Sequence, residues 1–202
     1  MGVSHYWFSC FVSDSEYQEI LPSFERAESN AILSKKSEMG IEFWKRNQAN
    51  VDWYGPDGKV WNDFLCAFDL AGYKELTTSI CKSGEMFGNF LNEQNVHRFI
   101  IINNYTPVSI LWYALGFESS NRLPGKMGNL LVHSTEVNKL LKEVDEIFSK
   151  RKQEDLISKA KSYVEQAADE KLILEVITMM QKGLEKAVEK GKGIFFLASA
   201  QL

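Results

Sequence analysis

The sequence predicts an α+β fold, predominantly helical, with a small sheet that includes the N-terminal and C-terminal strands. Three observations predict it. The opening VSHYWFSCFV is rich in the aromatic and β-branched residues typical of strands. The last third of the chain has the periodicity of amphipathic helices, and an apolar run from Ile194 to Ala198 follows it. The 202 residues, 45% of them hydrophobic, suit one domain over residues 1–202.

The first strand leads into a helix. Ser13 and Glu16 have the spacing of a capping box, in which a serine hydroxyl and a glutamate carboxylate bind the free amides at a helix start. The apolar residues that follow recur at three- and four-residue steps and share one helix face: Tyr17, Ile20, Leu21 and Phe24.

The next part of the chain has weaker patterns. Residues 26–60 mix charged and small residues and predict a loop with short helical pieces, including a strong turn from Gly55 to Gly58. Helical spacing then returns, and Gly72 is placed to end that helix. For residues 74–94 both helix and loop stay open. The apolar residues of the helix before Gly72 are Trp61, Phe64, Leu65 and Phe68.

Two further strands are predicted in the second half. Four consecutive apolar residues, Phe99 to Ile102, are typical of a strand covered on both faces. Thr106 and Pro107 then supply an N-cap and a first helical residue for a helix that ends at Gly116.

A short strand from Leu130 to Val132 is predicted to pass into the next helix. Ser134 or Thr135 is the expected cap of that helix. Glu136 then lies in its first turn, where negative charge is favourable.

Three amphipathic helices are predicted near the C-terminus, and Gly191 and Gly193 end the third. An apolar strand at a chain end is stable when its edges and faces are engaged, so Ile194 to Ala198 is expected to pair beside the first strand under the helices. The apolar residues of the three helices are Val137, Leu140, Leu141, Val144, Ile147 and Phe148; Leu156, Ile157, Ala160, Tyr163, Val164 and Ala167; and Ile173, Ile177, Met180, Leu184 and Ala187.

Charge and cysteine content narrow the function classes. A net charge of -4 and a pI of about 5.5 disfavour a nucleic-acid-binding surface. Cys10, Cys66 and Cys81 lack metal-ligand and disulfide spacing and suggest a reducing compartment. No signal peptide and no apolar run of membrane-spanning length is present, so we expect a cytoplasmic protein without membrane partners.

Sequence motifs for catalysis and cofactor binding are missing. The chain has no G-x-S-x-G, no phosphate-binding loop and no G-x-G-x-x-G. His5, His97 and His133 lie at or near predicted strands without ligand spacing, and we interpret them as structural residues. A zinc site assembled from distant strands stays open as an alternative, but no metal, cofactor or catalytic residue is predicted.

The candidate binding residues lie in the stretch VDWYGPDGKVW. Trp53 and Tyr54 fall in a predicted loop beside Asp57 and Lys59. Exposed aromatic residues next to charges are typical of recognition surfaces. These four residues are therefore the predicted binding site. In the alternative that stays open, Trp53 packs on the core and the turn only connects two helices.

The chain resembles the YfbM-like family of bacterial domains of unknown function over nearly its whole length. The resemblance rests on an initial MG followed by a strand and a short acidic helix (Ser13 to Phe24), on VWNDFLCAF, on GNLLVHSTEV, and on a final long helix with AVEKGKG and a strand. Relative to that family, extra residues are expected around 26–50 and 74–105. The resemblance implies the fold and a bacterial cytoplasmic location, and it transfers no catalytic residue.

Two functions are expected from different classes. The first is a non-enzymatic binding protein whose partner is another protein, in the form of an immunity-type inhibitor that covers the surface of a toxin. This function is implied by the family resemblance and fits the acidic charge and the loop aromatics. The alternative is a small hydrolase or nucleotide-processing enzyme whose site is assembled from residues far apart in sequence. The sequence makes no prediction of an oligomeric state.

Overall fold

A computed structural model describes residues 4–48, 51–52, 55–82, 95–165 and 167–200. Helices alternate with four short strands along the described chain. In chain order the elements are β1 (Ser4–Val12), α1 (Asp14–Asn30), α2 (Lys35–Asn47), α3 (Gly58–Cys66), α4 (Ala71–Lys82), β2 (Val96–Asn103), α5 (Pro107–Leu115), α6 (Phe117–Ser120), β3 (Leu130–Val132), α7 (Val137–Ser149), α8 (Gln153–Val164), α9 (Glu170–Lys190) and β4 (Gly193–Ala200).

The strands form one antiparallel sheet in the order β2-β1-β4-β3. The last strand, β4, lies between β1 and β3, with Leu197 opposite Phe8 and Ile194 opposite Val132. Phe195 and Phe196 are 2% and 0% exposed. The predicted α+β fold, with both terminal strands in one shielded sheet, is therefore confirmed.

The sheet separates two apolar cores, because successive side chains of a strand point to opposite faces. On one face, Phe8, Phe195 and Leu197 pack under α1 and α4. On the other face, Trp7 and Phe196 belong to a larger core that α5 and α9 share with α2, α3, α7 and α8. The helices are thus divided unequally between the two faces.

A bulge lies near the start of β2. Arg98 pairs with Ser9, and the register then shifts so that His97 is passed over. The ring of His97 lies 5.6 Å from that of Phe11, a residue of the larger core. His97 and Arg98 therefore both lie on the sheet face that α9 covers.

The prediction that Phe99 to Ile102 are covered on both faces is wrong for one face. Ile100 and Ile102 are 1% and 2% exposed, whereas Phe99 and Ile101 are 49% and 53% exposed. β2 is an edge strand, and α1 and α4 pack on β1, β3 and β4. As a result, the side of β2 that faces α5 and α9 is covered and the opposite side is half open.

Residues 26–60, predicted as a loop with short helical pieces, are more helical than expected, whereas the predicted turn from Gly55 to Gly58 is confirmed by the hydrogen bond from the Gly58 N–H to the Gly55 carbonyl oxygen. The first helix continues to Asn30, and Lys35–Asn47 forms the regular helix α2. The Ser34 hydroxyl caps α2 by accepting the Ser37 N–H at 3.1 Å. The charged residues of α2 lie on its outer side. Its apolar pattern is short, and packing of its inner side against α3 stabilises the helix.

Gly72 does not end the helix that precedes it. That helix, α3, ends at Cys66, and Gly72 is the second residue of α4. A Cβ at Gly72 would lie 2.1 Å from the carbonyl oxygen of Ala27, so glycine here allows α4 to approach α1. The sequence shows the glycine, but it does not show that a neighbouring helix, α1, packs closely against this position.

The predicted caps of α7 have other partners. The helix begins at Val137, and neither Ser134 nor Thr135 is its N-cap. The Ser134 hydroxyl donates to Asp14 Oδ1 at 2.7 Å, and the Thr135 hydroxyl lies 2.9 Å from His133 Nδ1. The start of α7 is thus tied to the start of α1.

The other helix signals are confirmed. Ser13 and Glu16 form the expected capping box, and the Thr106 hydroxyl accepts a backbone N–H at the start of α5. The three predicted C-terminal helices are present, with Gly191 in the left-handed region at φ 61° after the third. Two details of that prediction are wrong: Ala167 lies beyond the end of the second helix at Val164, and Gly193 begins β4.

Replacing a phenylalanine of the sheet with alanine compares the buried middle of the sheet with its half-exposed edge. Phe196→Ala opens a cavity beside Trp7 and is expected to lower the free energy of unfolding by about 3–5 kcal/mol. Phe99→Ala, the matched control, removes a half-exposed ring and is expected to cost about 1 kcal/mol or less. Urea unfolding of both variants measures the difference, and equal losses would contradict the sheet order.

Candidate functional site

A groove between α2 and α3 is the candidate functional site. It has a volume of about 670 Å³. Its floor is apolar: Met39 is 61% exposed, and Phe43 and Val60 are half-buried. Charged and polar side chains form its rim: Lys35, Glu38, Glu42, Arg46, Asn47, Lys59 and Asp63.

Close packing of α2 on α3 forms the groove. Gly40, in the middle of α2, is buried, and a Cβ there would lie 2.4 Å from the backbone nitrogen of Phe64. The inner side of α2 also carries Trp44, whose ring centroid lies 5.0 Å from that of Phe64. Because the inner side is buried in the core, Met39 and Phe43 are left on the outer flank.

The C-terminal end of α2 is held against α6. The Phe117 N–H donates to the Gln48 side-chain oxygen at 2.9 Å, and the Lys45 ammonium lies 4.7 Å from the centre of the Phe117 ring. These contacts give α2 a second anchor besides α3. The groove therefore has rigid helical walls, which lowers the conformational cost of binding a ligand.

The rim of the groove has both signs of charge. Three of its residues are basic and three are acidic, so the formal charge is balanced. The Glu42 carboxylate lies 3.7 Å from the Lys45 ammonium and 3.9 Å from the Arg46 guanidinium. An apolar floor with a polar rim is typical of protein-binding surfaces.

Of the four predicted binding residues, only Lys59 lines the groove. The Asp52 N–H donates to Asp57 Oδ2 at 2.9 Å, so the Asp57 carboxylate holds the turn. Lys59 is exposed on the rim. Trp53 and Tyr54 lie outside the described residues. Contact of these four residues with a partner stays a prediction.

Sequence analysis missed Met39, Phe43 and Val60. The signal for the first two was their i, i+4 spacing, which places them on one side of a helix. This spacing places Met39 and Phe43 on one side only if residues 35–47 form a helix, which the sequence pattern did not predict.

Two of the histidines belong to strands of the sheet, His5 to β1 and His97 to β2. Burial lowers the pKa of His5, although Asp69 acts in the opposite direction. The buried Nδ1 of His5 has no hydrogen-bond partner within the part of the chain that the structure describes. Burial, together with the positive charges of Arg98, Lys186 and Lys182, lowers the pKa of His97 to about 4.

The third histidine belongs to a polar cluster at the starts of α1 and α7. His133 Nε2 lies 3.3 Å from Asp14 Oδ1, and His133 Nδ1 lies 2.9 Å from the Thr135 hydroxyl. The edge of Tyr17 packs on the imidazole with ring centroids 4.9 Å apart. The cluster joins residues more than 100 positions apart in sequence.

Cys10 and Cys66 are poor nucleophiles. Burial raises the pKa of Cys10 to about 12. Burial and the nearby carboxylates of Asp69 and Asp63 also raise the pKa of Cys66. Both thiols are therefore protonated near pH 7, where a nucleophile would need the thiolate. Among the described residues, no three His, Cys, Asp or Glu side chains are grouped to hold a metal ion.

Comparisons with protein-family models, with curated proteins and with solved structures found no match to this chain. Within the described ranges, no helix combines the length and apolar character needed to span a membrane.

His97 makes stability depend on pH. Because its pKa is lower in the folded state than its ordinary value of 6.5, the unfolded chain binds more protons between these values. Its contribution to stability is thus complete above about pH 6.5 and decreases as the pH falls toward about 4. We expect the urea midpoint of the wild type to fall more steeply than that of His97→Phe between pH 7 and pH 4.5. Parallel curves for the two proteins would contradict the buried neutral imidazole.

Proposed function

We propose that this chain is a non-enzymatic protein-binding domain and that the α2–α3 groove binds the apolar side of a helical segment of another protein. The observation that carries the proposal is the exposed apolar floor of Met39, Phe43 and Val60 inside a charged rim. Helix-in-groove binding places apolar anchors of the ligand at helical spacing. The balanced rim favours a partner helix that also carries both signs of charge.

The wider biological setting belongs to the same proposal. The resemblance to the YfbM-like domains supports a bacterial cytoplasmic protein and, within that setting, an immunity-type inhibitor of a toxin. The net charge of -4 supports association with a basic toxin, since opposite net charges increase the rate of encounter. On this proposal the groove supplies the specific contact, and the overall charge accelerates its formation.

A displayed library of random 16-residue peptides tests the groove. Selection on the wild-type protein is expected to enrich amphipathic sequences with apolar residues at i, i+3 or i+4, and i+7. Met39→Asp places a charge in the apolar floor and is expected to raise the Kd of the enriched peptides on the order of tenfold or more.

Val188→Asp is the matched control for this experiment. Val188 is 39% exposed on α9, outside the groove, so the same charge there should leave the Kd unchanged. Thermal melting of both variants checks that the fold is retained. Enriched peptides that bind Met39→Asp as tightly as the wild type would remove the groove as their site.

A hydrolase is the second candidate function, and the polar cluster around His133 favours it. The imidazole of His133 would accept the Thr135 hydroxyl proton at Nδ1 and donate Nε2–H to Asp14. The hydroxyl is then the nucleophile, the imidazole is its base, and the carboxylate orients the imidazole. Thr135 Oγ1 would attack an ester carbonyl, the proton would pass through His133 to the leaving group, and water would then release the acyl group.

The hydrolase candidate makes a separate prediction. It requires the wild-type protein to release p-nitrophenolate from p-nitrophenyl acetate faster than Thr135→Val, with Thr135→Ser retaining activity because the hydroxyl remains. Ser162→Ala, which removes an exposed hydroxyl of α8 outside this cluster, is the matched control. Equal rates for the wild type and Thr135→Val would remove this candidate and leave the groove proposal intact.

A further inference from the structure

The strand β2 forms one edge of the sheet. Its hydrogen-bonded neighbour is β1, and within the described ranges no strand pairs with its other side. Eight residues, Val96–Asn103, therefore present one row of backbone N–H and C=O groups at the sheet edge. Such an edge can bind an extended segment of another chain through backbone hydrogen bonds.

One face of this edge is apolar. Phe99 and Ile101 are 49% and 53% exposed. The Phe99 ring stacks on Tyr6 and Phe8, with centroids 5.8 and 6.2 Å apart, so it is held in place rather than free in solvent. Large apolar side chains exposed side by side on an edge strand are unusual, because natural edges are commonly protected by charges or proline.

The opposite face of the same edge is basic at its N-terminal end. Arg98 projects there because it alternates with Ile100 and Ile102 along the strand, and its side chain is 42% exposed while it lies 3.7 Å from Glu175. The exposed Lys182 and Lys186 on α9 are close enough to act electrostatically on His97. The Lys192 ammonium donates to Asn95, directly before β2, at 3.3 Å. Four basic groups thus surround the start of the strand, and two of them have an acidic neighbour, Glu175 beside Arg98 and Glu189 beside Lys186.

We propose that β2 binds an extended segment of a partner protein in which apolar and acidic side chains alternate. Because side chains of an added strand point alternately to the two faces, the apolar ones would cover Phe99 and Ile101. The acidic ones would then lie on the face of Arg98, Lys182 and Lys186. This surface is separate from the α2–α3 groove, so it is independent of the function proposed above.

The charge pattern favours this partner over a second copy of the chain. Pairing of two β2 strands about a two-fold axis perpendicular to the sheet brings the same faces of the two copies together. The two basic ends would then lie at opposite ends of the antiparallel pair, and β2 itself has no acidic residue that it could place beside Arg98 of the other copy. An acidic segment neutralises the same groups.

An alternating eight-residue peptide, (Glu-Val)4 with blocked ends, is the probe. Titration into the isotopically labelled full-length protein is expected to shift the backbone amide resonances of β2 and to slow their hydrogen exchange. The peptide (Lys-Val)4 has the same alternation and reversed charge, and it is expected to bind on the order of tenfold more weakly. A (Glu-Val)4 peptide that is N-methylated at every residue lacks the backbone donors and is expected not to bind.

Charge reversal in the protein gives the complementary test. Lys182→Glu/Lys186→Glu is expected to weaken (Glu-Val)4 binding on the order of tenfold and to strengthen (Lys-Val)4 binding. Lys139→Glu/Lys142→Glu, on the exposed side of α7, is the matched control with the same change of net charge and is expected to leave both affinities nearly unchanged.

Three outcomes would overturn the proposal. Equal binding of the acidic and basic peptides would remove the role of charge. Peptide binding without amide shifts in β2 would place the contact elsewhere. A concentration-dependent dimer in sedimentation, with β2 amides protected in the absence of peptide, would assign the edge to a second copy of the chain.

Discussion

The pairing of β4 between β1 and β3 is the constraint on which the rest of the structure depends. It brings the last strand of the chain into the middle of the sheet, where Phe195 and Phe196 point to opposite faces and enter different cores. α9, which directly precedes β4, is thereby laid across the larger core. Gly183 allows this approach, since a Cβ there would lie 2.8 Å from the Phe196 ring.

Unequal covering of the sheet produces both proposed binding surfaces. The larger core needs several helices, and α2 and α3 join it through Trp44 and Phe64 while their outer flanks stay in solvent as the groove. The smaller core needs α1 and α4, which lie over β1, β3 and β4, so one face of β2 is left half open. Both surfaces thus result from the different numbers of helices that cover the two faces of the sheet.

Burial governs the chemistry of the titratable groups. It raises the pKa of Cys10 and lowers the pKa of His97, and in both cases the neutral form is favoured. Neutral buried groups suit a stable scaffold for binding. The cluster of Asp14, His133 and Thr135 differs because it lies at the surface, where an imidazole, a carboxylate and a hydroxyl are brought within hydrogen-bonding distance.

The sequence by itself determined the features that depend on local patterns: both terminal strands, the capping box at Ser13 and the three C-terminal helices. It also located Lys59 near the candidate site. Only the tertiary structure decided that residues 35–47 are helical, that Gly72 lies inside a helix, and that β2 is an edge strand. The physical reason is that these properties arise from neighbours distant in sequence. The helix α3 stabilises α2, the close approach of α1 requires the glycine of α4, and the order of the described strands gives β2 a single partner.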